Sequence, residues 1–99
     1  MARYEAHSAN ALAVEVTTNT PAGGDAGHGG VTVLVLEDLA STSWSIEVMN
    51  EEGVSSVCSD PCRLTLIFRG DTECETLIKC LDFAVKHLRK RQRANRAGT

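Results

Sequence analysis

The stretch Asp71–Arg93, DTECETLIKCLDFAVKHLRKRQR, decides the fold. It is the one segment long and periodic enough to demand a helix. At about 100° per residue, Cys74, Leu77, Leu81, Ala84, Val85 and Leu88 fall in one arc of roughly 100°. That arc is expected to pack on a sheet. Glu75, Lys79, Asp82, Lys86, Arg89 and Lys90 take the opposite, charged side. Thr72-Glu73-Cys74-Glu75 fits a capping box, in which a hydroxyl and a carboxylate each satisfy a free backbone N–H. Asp71, Glu73 and Glu75 suit the positive end of the helix dipole, and Lys86 through Arg93 suit the negative end. Glu75–Lys79 and Asp82–Lys86 are i,i+4 pairs in the favourable order. These signals predict a helix from Thr72 to Arg91, begun after a break at Gly70 and fraying beyond.

A second stripe, Thr76, Cys80, Phe83 and His87, lies beside the arc. An aromatic side chain left in water forgoes roughly 1.5–3 kcal/mol of burial. The pattern therefore predicts a cover for Phe83: the N-terminal segment, the loop after the first strand, or a second subunit. These four residues are the candidate protein interface.

Upstream, the chain alternates in the manner of strands. Val31–Leu36, VTVLVL, is apolar on both faces, as a strand buried on two sides or meeting another subunit would be. Glu37–Ser43 reads as a turn. Ser43–Met49 sets Trp44, Ile46 and Val48 inward against Ser45 and Glu47. Asn50–Gly53 is a hairpin loop with a glycine suited to positive φ. Val54–Cys58 is a weaker strand, Ser59-Asp60-Pro61 is turn chemistry, and Arg63–Phe68 is a further strand. Short loops predict strands that pair in chain order, as an antiparallel meander. The expected fold is α+β: a β-meander of three to four strands packed on one long C-terminal helix, with a flexible N-terminal tail.

Residues 1–30 read as that tail, ending in a linker, PAGGDAGHGG, that holds five glycines. Within it Ala11–Thr18 alternates and suits a short strand, although a long Gly-rich linker adds closure entropy to its pairing with the sheet. Residues 31–93 form the single domain, and 94–99 are expected to be disordered.

A net charge of −3 hides a polarity. Residues 1–85 hold four of the ten basic and all thirteen acidic side chains, a balance of −9, and residues 86–99 hold the other six basic ones, +6. No apolar run approaches the ~20 residues of a membrane span, and the N-terminus has no apolar core of a secretory signal. An intracellular, cytoplasmic protein with reduced thiols is the expectation.

Chemistry-bearing residues do not converge. Cys58 and Cys62 flank a turn and could bridge on oxidation, whereas Cys74 and Cys80 point apart on the helix. Neither pair has the CxxC spacing of a zinc ribbon. His7 and His28 fall in the tail and linker. His87 stands about 10 Å along the helix from Cys80, too far for a nucleophile–base bond. No phosphate loop, dinucleotide fingerprint or hydrolase motif occurs. No catalytic residue, metal or cofactor is expected.

The remaining candidate is the basic end. Lys86, Arg89, Lys90 and Arg93 share one helical side, and Arg91 extends the charge. Such a patch could neutralise phosphates, but the acidic remainder opposes a polyanion and no aromatic stands among the basic residues to stack a base. The reading is a small non-enzymatic protein-interaction module, acting with a protein partner or by self-association as a homodimer. The alternatives are a nucleic-acid-binding domain using Lys86, Arg89, Lys90, Arg91 and Arg93, and a small thiol-redox protein or motif-free enzyme using Cys58 and Cys62.

Overall fold

The computed structural model describes residues 1–19 and 30–97. Its strands are β1 (Ala2–His7), β2 (Ala11–Thr18), β3 (Val31–Ala40), β4 (Ser45–Asn50), β5 (Gly53–Ser59) and β6 (Arg63–Arg69), and a single helix, α1 (Asp71–Ala97), follows them. The α+β class, with an antiparallel four-stranded sheet and one long C-terminal helix, is as the sequence indicates. The chain divides into two compact units, Met1–Asn19 with Thr32–Ile67 and Thr20–Val31 with Phe68–Thr99. No described helix is long and apolar enough to cross a membrane.

The sheet order is β1-β2-β3-β6, and β4-β5 form a separate two-stranded sheet. This corrects the simple meander. A strand has two edges, and β3 gives one to β2 and the other to β6. Antiparallel pairing with β2 sets Val14 opposite Leu36 and Val16 opposite Leu34. On the other side Asp38 N–H donates to Cys62 O at 2.8 Å, and Gly70 N–H donates to Gly30 O at 2.7 Å, so β6 runs antiparallel to β3. No edge of β3 remains for β4, and β4-β5 becomes an excursion. It is closed at its base by Asp60 N–H donating to Trp44 O at 2.8 Å and by Trp44 Nε1–H donating to Pro61 O at 2.9 Å.

The expected tail is also corrected for residues 2–18, which form β1 and β2. Ala11–Thr18 is the strand its alternation suggests. β1 was invisible as a strand because its apolar face is mostly alanine: Ala2 opposite Val16, Tyr4 opposite Val14 and Ala6 opposite Leu12. Its polar face is fixed by charge instead. Arg3 pairs across to Glu15, along the strand to Glu5 at 3.0 Å, and on to Glu37 of β3 at 3.5 Å. The linker expected at 21–30 lies outside the described residues except for Gly30.

β3 runs on through Glu37–Ala40, where a turn was expected, because β2 supplies partners for it: Ala13 for Glu37, Leu12 for Asp38 and, past a bulge, Ala11 for Ala40. The corner that follows is pinned by Thr42, whose N–H donates to Asp38 Oδ1 at 3.1 Å and whose hydroxyl donates to Ala11 O at 3.2 Å. The buried apolar core is small: Ala11, Ala13, Leu34 and Val35, with Thr32 buried beside them. Thr32 and Leu34 lie on one face of β3 and Val35 on the other, so β3 is covered on both sides as its unbroken apolar run implies.

The β4-β5 hairpin turns through Glu51-Glu52, with Asn50 opposite Gly53 and Gly53 at φ 124°. Asn50 Oδ1 accepts from Glu52 N–H at 2.9 Å, an Asx-type closure. Trp44 and Ile46 are half-buried, but Val48 is exposed, which corrects its expected inward placement. Val48 pairs with Ser56 in a two-stranded sheet, and two strands alone have no second layer to bury a side chain.

Candidate protein interface

Helix α1 begins one residue before the expected Thr72. Cys74 N–H donates to Gly70 O at 3.2 Å, which makes Gly70 the N-cap and moves Thr72 inside the helix. The Thr72 capping box is thereby replaced. Glu73, now at the third helical position, folds its carboxylate into the space that a side chain at residue 70 would occupy. Thr76 hydroxyl donates back to Thr72 O at 2.9 Å. Asp71 at the first helical position has both carboxylate oxygens buried without a hydrogen-bond partner among the described residues. It sits at the positive end of the helix dipole, which favours a carboxylate there.

The helix ends later than the expected Arg91, at Ala97, so residues 94–97 are helical rather than disordered. Arg93, Ala94, Arg96 and Ala97 are strong helix formers, and cations suit the last turn of a helix.

A helix of 27 residues runs about 40 Å. Cys74 and Leu77 are half-buried, yet every side chain from Ile78 to Asn95 is exposed. Of the arc expected to pack on a sheet, Cys74 and Leu77 are half-buried and Leu81, Ala84, Val85 and Leu88 are exposed. Ile78 is 59% exposed, Leu81 43%, Val85 45% and Leu88 66%. Ile78 escaped the sequence reading because it lies at the rim of the arc, about 60° from Leu81. A wider arc would have included it.

Thr76, Cys80, Phe83 and His87 are exposed along the stripe beside the arc. Phe83 is 72% exposed, so no described segment covers it. His87 stacks on it, with ring centroids 6.2 Å apart and planes 8° apart. Thr76 and Cys80 line a groove with Phe68, Thr72, Glu73 and Leu77.

The basic side chains Lys86, Arg89, Lys90, Arg91 and Arg93 are all exposed. Lys86 pairs with Asp82 at 3.0 Å, the i,i+4 contact the sequence implies. Arg89 and Arg91 flank a shallow apolar groove formed by Val85 and Leu88 with Gln92 and Asn95. Thus the cations of the last turns border apolar surface rather than standing apart from it.

The cysteines are free: Cys58, Cys62 and Cys80 are exposed and Cys74 is half-buried. Cys58 stands opposite Ile46 in the hairpin, and the Cys62 carbonyl joins β6 to β3. No group of three metal-ligating side chains gathers among the described residues. Comparison with protein-family models, with curated proteins and with solved structures finds no match to this chain.

Proposed function

We propose that this chain is a protein-interaction module whose binding element is helix α1. One observation carries the reading: from Ile78 onward the helix holds the apolar residues of its arc and rim, Ile78, Leu81, Val85 and Leu88, in the open. Helices draw most of their stability from burying an amphipathic face, and an isolated helix is marginal in water. Contiguous exposed apolar surface with a polar rim marks a protein contact. The basic residues form that rim, which favours a partner surface mixing apolar and acidic groups.

Photo-crosslinking in cells tests this. A benzophenone amino acid placed at Leu81 or Leu88 is expected to give covalent protein adducts, and one placed at Glu51 in the β4-β5 turn is not. Absence of protein adducts from both helix positions, or adducts that nuclease removes, overturns the reading in favour of no partner or a nucleic acid.

A further inference from the structure

Independently of what α1 binds, we infer that β1 is a self-pairing edge: a second copy of this chain adds its own β1 antiparallel to it, centred on Tyr4.

β1 stands at the end of the order β1-β2-β3-β6, so one of its edges faces no strand among the described residues. All six of its residues are exposed, on both faces. Hydrogen bonds fix which of its backbone groups lie on the open side. Residues of an antiparallel ladder alternate between bonding one neighbouring strand and bonding the other. Asp38 N–H is turned to β6, where it meets Cys62 O. Leu12, opposite Asp38, therefore turns its N–H and C=O away from β3 and towards β1. Ala6, opposite Leu12, bonds back to β2, and by alternation so do Tyr4 and Ala2. Ala11 O accepts from the Thr42 hydroxyl on the β3 side, as this alternation requires. Arg3, Glu5 and His7 are left with N–H and C=O directed out of the open edge.

An open edge of this kind is a template for a further strand, and its side chains select which one. Ala2-Arg3-Tyr4-Glu5-Ala6 is complementary to itself when turned end over end about Tyr4. Arg3 then stands opposite Glu5 of the second copy, and Ala2 opposite Ala6 of the second copy, each match doubled by symmetry. Arg3 and Glu5 form the hydrogen-bonded pairs, so their outward N–H and C=O groups all find partners. Tyr4 meets its own counterpart at the two-fold axis, as the non-hydrogen-bonded pair whose side chains approach closest. Its ring, 62% exposed in the single chain, gains an aromatic neighbour there.

Other arrangements lose these matches. Moving the register by two residues either way sets Arg3 or Glu5 against its own like charge. A one-residue slip sets outward backbone groups against inward ones. The other end strand, β6, carries Arg63 and Arg69, which an end-over-end turn about Leu66 would set against each other. Arg3 already reaches Glu15 across β2 and Glu5 along its own strand. A residue directly opposite lies nearer than one two places along, so Glu5 of the second copy joins this set and leaves Glu15 in place.

An interface of two six-residue strands is small, so chain concentrations up to about 1 mM are used to populate it. Sedimentation of the natural chain is expected to show a dimer. The Arg3 and Glu5 amides are expected to exchange at least ~10-fold more slowly there than in dilute chain, where only the Tyr4 and Ala6 amides, bonded to β2, are protected. A chain that stays monomeric, or a dimer whose Arg3 and Glu5 amides stay as open as in dilute chain, overturns the inference.

Two variants check the register. Glu5→Arg sets arginines against each other on both sides of the axis and is expected to weaken dimerisation at least ~10-fold. Protection kept at Tyr4 and Ala6 shows that β1 still lies on β2, and an undiminished dimer overturns the inference. In a chain with its four cysteines replaced by serine, Tyr4→Cys is expected to form a disulfide-linked dimer. Ala2→Cys and Ala6→Cys are expected to link only when mixed, because each lies about 14 Å from its own counterpart. Linkage by Ala2→Cys alone indicates a parallel or shifted pair and also overturns it.

Discussion

Single residues set the hinges of this molecule by what their backbones and charges permit. Gly70 ends β6 and caps α1 at φ 121°, a region that L side chains rarely adopt. A methyl group there would also displace the Glu73 carboxylate, which as the end of a flexible side chain can shift aside, so the backbone conformation sets the cost. Gly70→Ala is therefore expected to destabilise the chain by about 1–3 kcal/mol, read as a lower urea midpoint at unchanged slope. Charges on β1 act more gently. The Glu5 carboxylate is held below the usual carboxylate range, first by its hydrogen bond with His7 and then by the one from Arg3. A carboxylate depressed in the folded state adds stability above its unfolded titration and loses it as pH falls through its folded one. The contribution of Glu5 is thus present at neutral pH and disappears on the acid side. Glu5 is solvent-exposed, so the effect belongs to a titration curve more than to overall stability. Arg3→Met is expected to raise the Glu5 midpoint in an NMR titration; an unmoved midpoint would show that His7 alone sets it.

At the scale of elements, what could be read from the sequence depended on how strongly each segment declares its period. Val31–Leu36 and Arg63–Phe68 are dense in β-branched and aliphatic residues and were legible as strands. α1 was legible from its arc and its charge order. β1 was not, because Ala2 and Ala6 carry little apolar signal and its register depends on Arg3 reaching Glu15 on another strand. Strand order was not legible either: a short loop says that β4 follows β3, not that β2 and β6 already hold both edges of β3. The stripes of the helix could be drawn from the sequence, but which of their side chains stand exposed is seen only in the structure. The β4-β5 hairpin illustrates a dependent element. It stands as a two-stranded sheet, marginal by itself in water, and the Trp44 indole bond to Pro61 O closes its base. Trp44→Phe keeps the ring and removes the N–H. It is expected to speed amide exchange in β4 and β5 by roughly 5- to 10-fold, about 1 kcal/mol of one hydrogen bond, while β2 and β3 keep their protection. Uniform loss of protection across both sheets would instead show that the hairpin and the larger sheet open together.

For the whole molecule, the balance between core and surface argues for association. Leu34 and Val35 are the only sizeable side chains in the buried core among the described residues, and burial of each gives roughly 1.5–3 kcal/mol. The ordering of each residue opposes folding by about 1–2 kcal/mol of backbone entropy. Among the described residues, α1 leaves five large apolar side chains exposed, and association would cover surface of that kind. Where two copies pair along β1, folding and dimerisation become linked and stability depends on chain concentration. Thermal unfolding is then expected to shift upward by up to about 3 °C for each tenfold rise in concentration, from the unfolding entropy of two such chains. Glu5→Arg is expected to flatten this dependence and to lower the midpoint to that of the separate chain. Leu88→Glu places a carboxylate in the stripe and leaves the buried core untouched. It is expected to keep the dependence, because Leu88 is not on the paired strand. Leu34→Ala acts in the core instead. It is expected to lower stability by about 2–4 kcal/mol at every concentration, with the slope against concentration preserved. Scanning calorimetry of the natural chain and these variants over two decades of concentration separates the effects. A Leu88→Glu chain that loses the dependence would place self-association on α1 instead of β1. A natural chain whose midpoint does not move with concentration would mean that its few buried side chains suffice, and that the open face of α1 serves a partner other than itself.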